Sequence, residues 1–215
     1  LIFTRRKVHA LIAATALVAI AGVTGAFAQE QAKVTDLATP HPLGDIVLGA
    51  ANAPVTMIEY ASLSCGHCAA FHKDWFPIIK AEFIDTGKIR FVFREYPLDL
   101  KAAAGSMIAR CLGKGDANKY HDAVGTLFKA QDEWVPQDTA AQLRRIANQS
   151  GMDDTEFNTC IGNQNTVDAL WAGMQFAREK LQVDSTPTFF LNDTRMKGLW
   201  SLDEFRKVIE AKLKS

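Results

Sequence analysis

The sequence predicts an α/β fold in which a strand–helix–strand unit and a later strand hairpin are separated by a long helical block. Three observations carry that prediction. The β-prone run at 55–60 leads into a segment, 69–85, that sets Phe71, Trp75, Ile78, Ile79 and Phe83 at helical spacing. Between residue 101 and about 180 the apolar residues keep helical spacing throughout. Strand pattern then resumes at 188–191, ahead of a turn and a last amphipathic segment.

A chain of 215 residues with 48% hydrophobic and 22% charged residues has the composition of an ordinary globular protein, long enough for one sizeable core or two small ones. Residues 1–28 have the three parts of a secretory signal: Arg5-Arg6-Lys7, an apolar stretch at 10–21, and Ala26-Phe27-Ala28. Cleavage after Ala28 is expected. The apolar stretch is shorter than the ~20 residues a spanning helix needs, which leaves a membrane anchor as the lesser alternative. The Arg5-Arg6 pair is followed by Lys7-Val8-His9 where the twin-arginine route expects apolar residues, so Sec-type export is the expectation. Loss of 1–28 leaves 21 basic and 24 acidic residues, a net charge of −3, and no basic field for nucleic acid.

Residues 29–44 read as a flexible arm, because Thr39-Pro40-His41-Pro42 resists regular structure, and His41 reads as a solvated loop residue. A first sheet-bearing part spans 45–100. It holds a short edge strand at 45–49, a turn through Asn52-Ala53-Pro54, the strand 55–60, the helix 69–85, and a strand 89–95 ended by Tyr96-Pro97. Arg94 and Glu95 read as solvated strand-end charges, with reach to the chemistry of the chain as the alternative.

Helices are expected at 102–112, 118–130, 138–150, 153–161 and 167–181, punctuated by Gly113, Gly115, Pro136, Gly151 and Gly162. Residues 101–162 are the inserted block, and 163–215 complete the sheet-bearing part. In that last part Asn192-Asp193 turns a hairpin whose return runs through Arg195 to Gly198. Ser201 with Glu204 makes a capping box for a final helix carrying Phe205, Val208, Ile209 and Leu213.

The chemistry gathers in Ser64-Cys65-Gly66-His67-Cys68, at the junction of strand and helix. The first N–H groups of a helix have no intrahelical partners and its start is electropositive, so a thiolate on Cys65 is favoured there. Three-residue spacing sets Cys68 one turn beneath Cys65, close enough to open and close a disulfide. His67 adds positive charge, and Gly66 removes bulk in front of the attacked sulfur. A zinc site would need four ligands, and no second C-x-x-C accompanies this one, although His67 and His72 lie nearby. No metal is expected.

Glu59 stands inside the apolar strand before the cysteines. A strand covered on both faces offers an acid no solvent, so its pKa should rise and it becomes a candidate proton relay for Cys68. Export places the four cysteines in an oxidising compartment. They allow three pairings. If Cys65 and Cys68 form the switch, Cys111 and Cys160 are left to form a structural disulfide, the alternative being two free buried thiols.

Strand, C-x-x-C helix, strand, helices, Thr186-Pro187-Thr188 opening a hairpin, and a final helix: this order resembles the thioredoxin fold. With its helical block, the chain resembles the DsbA-like thiol:disulfide oxidoreductases over nearly all of 45–213. Cys65-Gly66-His67-Cys68, Glu59 at the place of the family's buried acid, Ala53-Pro54-Val55 and Thr186-Pro187 carry the resemblance. It implies a cis Pro187 facing the two cysteines, preceded by Thr186 as in isomerase-type members. Gly66 replaces the proline of the best-known member, giving the dipeptide of eukaryotic protein disulfide isomerase. The pair Cys111 and Cys160 resembles the second disulfide of one bacterial branch.

The expected function is therefore an exported, periplasmic oxidase that donates its Cys65–Cys68 disulfide to reduced client proteins, with no cofactor. The resemblance implies reoxidation by a quinone-linked membrane partner of the DsbB type. The alternatives are a disulfide isomerase or reductase of the same fold, and a thioredoxin-like metal chaperone using Cys65, Cys68 and a histidine. Isomerases of the DsbC type dimerise through a separate N-terminal domain, which 29–44 is too short to build.

Overall fold

The computed structural model describes residues 36–192, 194–197 and 201–214. The signal-type segment 1–28 with its expected cleavage after Ala28, the arm's residues 29–35, and Asp193 and Gly198 of the hairpin lie outside the described residues. Among the described residues, five strands form one sheet in the order β1-β3-β2-β4-β5. Its centre is β2 (Val55–Ala61), which runs parallel to β3 (Ile89–Glu95) and antiparallel to β4 (Thr188–Leu191). The edges are β1 (Val47–Leu48), antiparallel to β3, and β5 (Thr194–Lys197), antiparallel to β4. Only Thr56 of β2 is not buried, as expected of a strand covered on both faces. Glu59 consequently has no solvated side: its register neighbours are Phe93 on β3 and Phe189 on β4.

The helix that the cysteines were expected to open starts at Gly66, with Cys65 as its N-cap, but it is not uniformly α-helical. It runs as α1 (Gly66–Ala70), a π-helical turn (Phe71–Trp75), α2 (Phe76–Ile79) and a second π-helical turn (Lys80–Ile84). Pro77 lacks the N–H that would close an α-helical bond to the preceding turn, and the winding widens just before it. Between β3 and β4 lie α3 (Leu100–Gly113), α4 (Ala117–Lys129), α5 (Gln131–Trp134), α6 (Thr139–Gln149), α7 (Asp154–Ile161) and α8 (Gln164–Lys180). The side chains of Asp99, Asp116, Asp153 and Asn163 accept first-turn N–H groups at the starts of α3, α4, α7 and α8. At four residues, α5 is too short to show a period, and it was not foreseen. A disulfide joins Cys111 on α3 to Cys160 on α7, with Cα atoms 6.3 Å apart.

The expected capping box at Ser201 and Glu204 is present at the start of α9 (Leu202–Leu213). Its buried Phe205 packs on Phe71 and Phe189, at ring-centroid distances of 5.6 and 4.9 Å. Burying each such ring stabilises the fold by roughly 1.5–3 kcal/mol, and this trio seals the helix that carries the cysteines against the sheet.

The arm is docked, not loose, over the part of it that is described. Leu37 is buried in an apolar cluster with Tyr60, Tyr96, Leu181 and Phe190. His41, read above as solvated, is buried; its Nδ1 accepts the Leu43 N–H, and its ring lies where a Cβ on Gly173 would fall, 2.3 Å from Nε2. The charges on β3 explain the docking. Arg94 donates to both oxygens of Asp45, at 2.9 and 2.7 Å, and to the Tyr60 hydroxyl. Glu95 accepts from Arg110 and Tyr120, and Arg110 also donates to the Leu43 carbonyl. Neither Arg94 nor Glu95 is a solvated strand end, because burial demands a partner for each and a neighbouring element supplies it.

Candidate active site

β2 ends at Ala61, and the turn that follows is held by the Cys65 N–H donating to the Ser62 carbonyl at 3.0 Å and by Ser62 Oγ, which accepts the N–H groups of Ser64 and Leu98. Cys65 is the N-cap of α1, with the extended backbone usual at that position, φ −83° and ψ 120°. Cys65 is half-buried and Cys68, one turn on, is fully buried. Both are free thiols.

The two thiols are driven apart in acidity. Cys65 is lowered from 9.0 to about 5, first by a hydrogen bond from the Cys68 side chain and further by Thr186 and the N–H groups of Cys68 and His67, against the opposing effect of burial. Cys68 is pushed well above the ordinary thiol value by burial, by its hydrogen bond to Cys65 and by the charge of Glu59. His67 is exposed, and what it contributes to Cys65 is its backbone N–H.

Opposite the helix start, the Thr186–Pro187 peptide bond is cis. Pro187 is buried, and the Cys65 thiol donates to the Thr186 carbonyl at 3.4 Å. From α5, Gln131 Nε2 donates to the carbonyls of Leu63, at 2.8 Å, and Cys65, at 3.0 Å, fixing the turn that carries the cysteine. A glutamine in so short a helix gives no sequence signal of that contact.

Beneath the cysteines Glu59 is buried, and burial raises its pKa against the opposing influence of His72. Glu59 Oε2 lies 2.8 Å from His72 Nε2. The sequence placed His72 near the cysteines but did not connect it to Glu59; the available signal was its position four residues after Cys68, on the same helix face. The fold thus brings Cys65, Cys68, Glu59, Thr186 and Pro187 to one end of the sheet. Cys111 and Cys160 belong instead to the helical block. Among the described residues no three His, Cys, Asp or Glu side chains converge in an arrangement that could hold a metal ion.

A dithiol at the start of the helix leaving a central strand, facing a cis-proline turn, belongs to the thioredoxin class of folds. The family model described as Thioredoxin matches residues 42–211. The crystal structure of α-DsbA1 from Wolbachia pipientis is 33% identical, with a TM-score of 0.77, and the match covers 83% of this chain and 95% of that one. Disulfide bond formation protein D of Bacillus subtilis is 28% identical over 184 residues, 81% of this chain and 80% of that protein. A Rickettsia conorii protein assigned, by name alone, as a protein-disulfide oxidoreductase is 31% identical over 170 residues, 79% of this chain but 60% of its own length. The chain spans about three fifths of the length of the Rickettsia relatives it matches. It belongs to the thioredoxin family, in the DsbA-like branch.

Proposed function

We propose that the chain is an exported thiol:disulfide oxidoreductase that donates a Cys65–Cys68 disulfide to reduced client proteins. The observation that carries this reading is the asymmetry of the pair: a half-buried sulfur with a pKa of about 5 above a buried one pushed well above the ordinary thiol value. A client thiolate attacks Cys65 Sγ, and the Cys65–Cys68 bond breaks with its electron pair on Cys68, which takes up a proton. A second client thiolate attacks the client sulfur of the mixed disulfide. Cys65 leaves as a thiolate, and because a stabilised thiolate is a good leaving group, release is fast and the reduced enzyme is the favoured product. In this reading Thr186 and the cis Pro187 border the attacked sulfur, Glu59 serves the proton of Cys68, and Cys111–Cys160 is structural.

The enzyme leaves the cycle reduced and must be reoxidised. The DsbA-like membership supports a quinone-linked DsbB-type membrane oxidase as that partner and reduced, exported polypeptides as clients. The three-part segment at 1–28 supports export to the periplasm with cleavage after Ala28. Among the described residues no helix is long and apolar enough to cross a membrane.

The test supplies the oxidised protein as sole oxidant to a reduced multi-cysteine client, beside a second assay that starts from the same client with scrambled disulfides. Stoichiometric disulfide formation in the first assay with poor unscrambling in the second is the expected result. Efficient rescue of the scrambled client without oxidation of the reduced one would make the protein an isomerase, and retention of a metal through native purification with no exchange would make it a metal chaperone.

A further inference from the structure

His72 is a buried group with no task in the thiol–disulfide exchange. It lies four residues after Cys68 on the same helix, and its side chain is 3% exposed against 0% for Glu59. The ring is clamped: Phe128 of α4 stacks on it at 4.3 Å with planes 21° apart, and Phe76 lies at 4.8 Å. Nε2 is spent on Glu59 Oε2 at 2.8 Å. Glu59 Oε1, also buried, has no hydrogen-bond partner among the described residues. Such an oxygen is expensive unless something transiently uses it.

We propose that His72 is a positioning residue for the dithiol, holding Glu59 through Oε2 so that Oε1 is free to receive the proton that Cys68 loses when it attacks a mixed disulfide on Cys65. The inference rests on the reading of the chain as a thiol:disulfide oxidoreductase and deepens it. The step balances. Cys68 Sγ forms a bond to Cys65 Sγ, the bond from Cys65 to the partner sulfur breaks, and its electron pair leaves on that sulfur as a thiolate. The Cys68 proton passes to Glu59, and the oxidant is the disulfide-bearing partner that formed the mixed disulfide.

The physical need for His72 follows from burial. A carboxyl group with no solvent and no cation is protonated near neutral pH and can take up nothing. The His72 imidazole, 2.8 Å from Oε2, opposes that effect, so Glu59 is raised less than a buried carboxyl without such a neighbour would be. The other titratable groups turned towards the pair are Cys65 and Cys68 from the helix start and His121 from α4. His121 is itself held near a pKa of about 4 by burial and is therefore neutral near pH 7. From the sheet the neighbours are Phe91 and Phe93 of β3 and Phe189 of β4, which bring no charge.

The experiment forms the Cys65–glutathione adduct with oxidised glutathione and measures, across pH, the rate at which Cys68 displaces glutathione. It is run on the full chain and on the variants His72→Leu, His72→Gln, Glu59→Gln and His72→Leu with Glu59→Gln. His72→Leu should move the rise of the rate to higher pH and slow the reaction roughly tenfold or more near pH 6, as Glu59→Gln does. The double variant should be no slower than Glu59→Gln alone. His72→Gln, which can donate the same hydrogen bond without a charge, should fall between wild type and His72→Leu and guards against a folding defect. Infrared difference spectra should show a protonated carboxyl near neutral pH in His72→Leu that Glu59→Gln removes.

A His72→Leu pH profile that superimposes on wild type overturns the proposal, as does a double variant slowed by the product of the two single effects. An adduct that wild-type Cys68 never resolves overturns the oxidoreductase reading and this proposal with it. Normal wild-type resolution with an inert His72 overturns only the proposal.

Discussion

Arg110 grips the buried Glu95 carboxylate by both oxygens, Nε to Oε1 at 2.6 Å and Nη2 to Oε2 at 2.8 Å, and so fastens α3 to the end of the strand beside β2. Burial alone would raise Glu95, but the Arg110 charge and hydrogen bonds, with His41 and Tyr120, hold it below the usual carboxylate range. Its contribution to stability is thus present above the unfolded value near 4.5 and is lost as pH falls through the lower folded value. Arg110→Met leaves a buried carboxylate without its cation, at a cost of about 3–5 kcal/mol. The sign should also reverse, since burial now raises Glu95 and the variant loses stability as pH rises. Urea unfolding of both proteins at about pH 4 and pH 7 measures this; a variant as stable as wild type at the higher pH contradicts it.

Alkylation separates the two sulfurs of the Cys65 and Cys68 pair. In the reduced protein iodoacetamide should modify Cys65 with a rate that is half-maximal near pH 5, and Cys68 should resist over the whole accessible range. Mass mapping of the labelled cysteine against pH reads both. A midpoint near 9, or preferential labelling of Cys68, would reverse the roles.

The Cys111–Cys160 bond closes a loop with a sequence separation of 49. Constraint of the unfolded chain by a loop of that size is worth about 4 kcal/mol in the chain-entropy picture, which neglects native strain. The double variant Cys111→Ala, Cys160→Ala should therefore melt lower while oxidising a reduced client at the wild-type rate. Undiminished Tm with lost activity would make this pair part of the chemistry.

Glu59 makes the opposite stability prediction from Glu95. Its folded pKa is raised by burial, so its contribution is fully present below about 4.5 and is lost as pH rises through the folded value. Glu59→Gln removes that loss and keeps a hydrogen-bonding partner for His72. The variant should be as stable as wild type or more so at neutral pH, by up to about 2 kcal/mol, while its turnover loses the wild-type pH dependence. Marked destabilisation at neutral pH would show that the carboxylate is needed for the fold.

Local signals were enough for the longer elements and for the reactive pair, though not for the four-residue α5. Val55 to Tyr60 running into Cys65-Gly66-His67-Cys68 displays a strand, a helix start and a dithiol in one reading, because each depends on near neighbours: side-chain period, unpaired first-turn N–H groups, three-residue spacing. The capping box at Ser201 and Glu204 was legible for the same reason. The tertiary structure alone decided where buried charges find partners. Asp45 and Arg94, Glu95 and Arg110, and Glu59 and His72 meet across 49, 15 and 13 positions. Nothing in His41 or His72 as letters separates a histidine in solvent from one sealed in a core. Gln131 reaches the Cys65 carbonyl only because α5 is folded over the turn. Burial is set by all the elements that close over a residue, and the cost of burying a charge without a partner then selects which distant groups must meet.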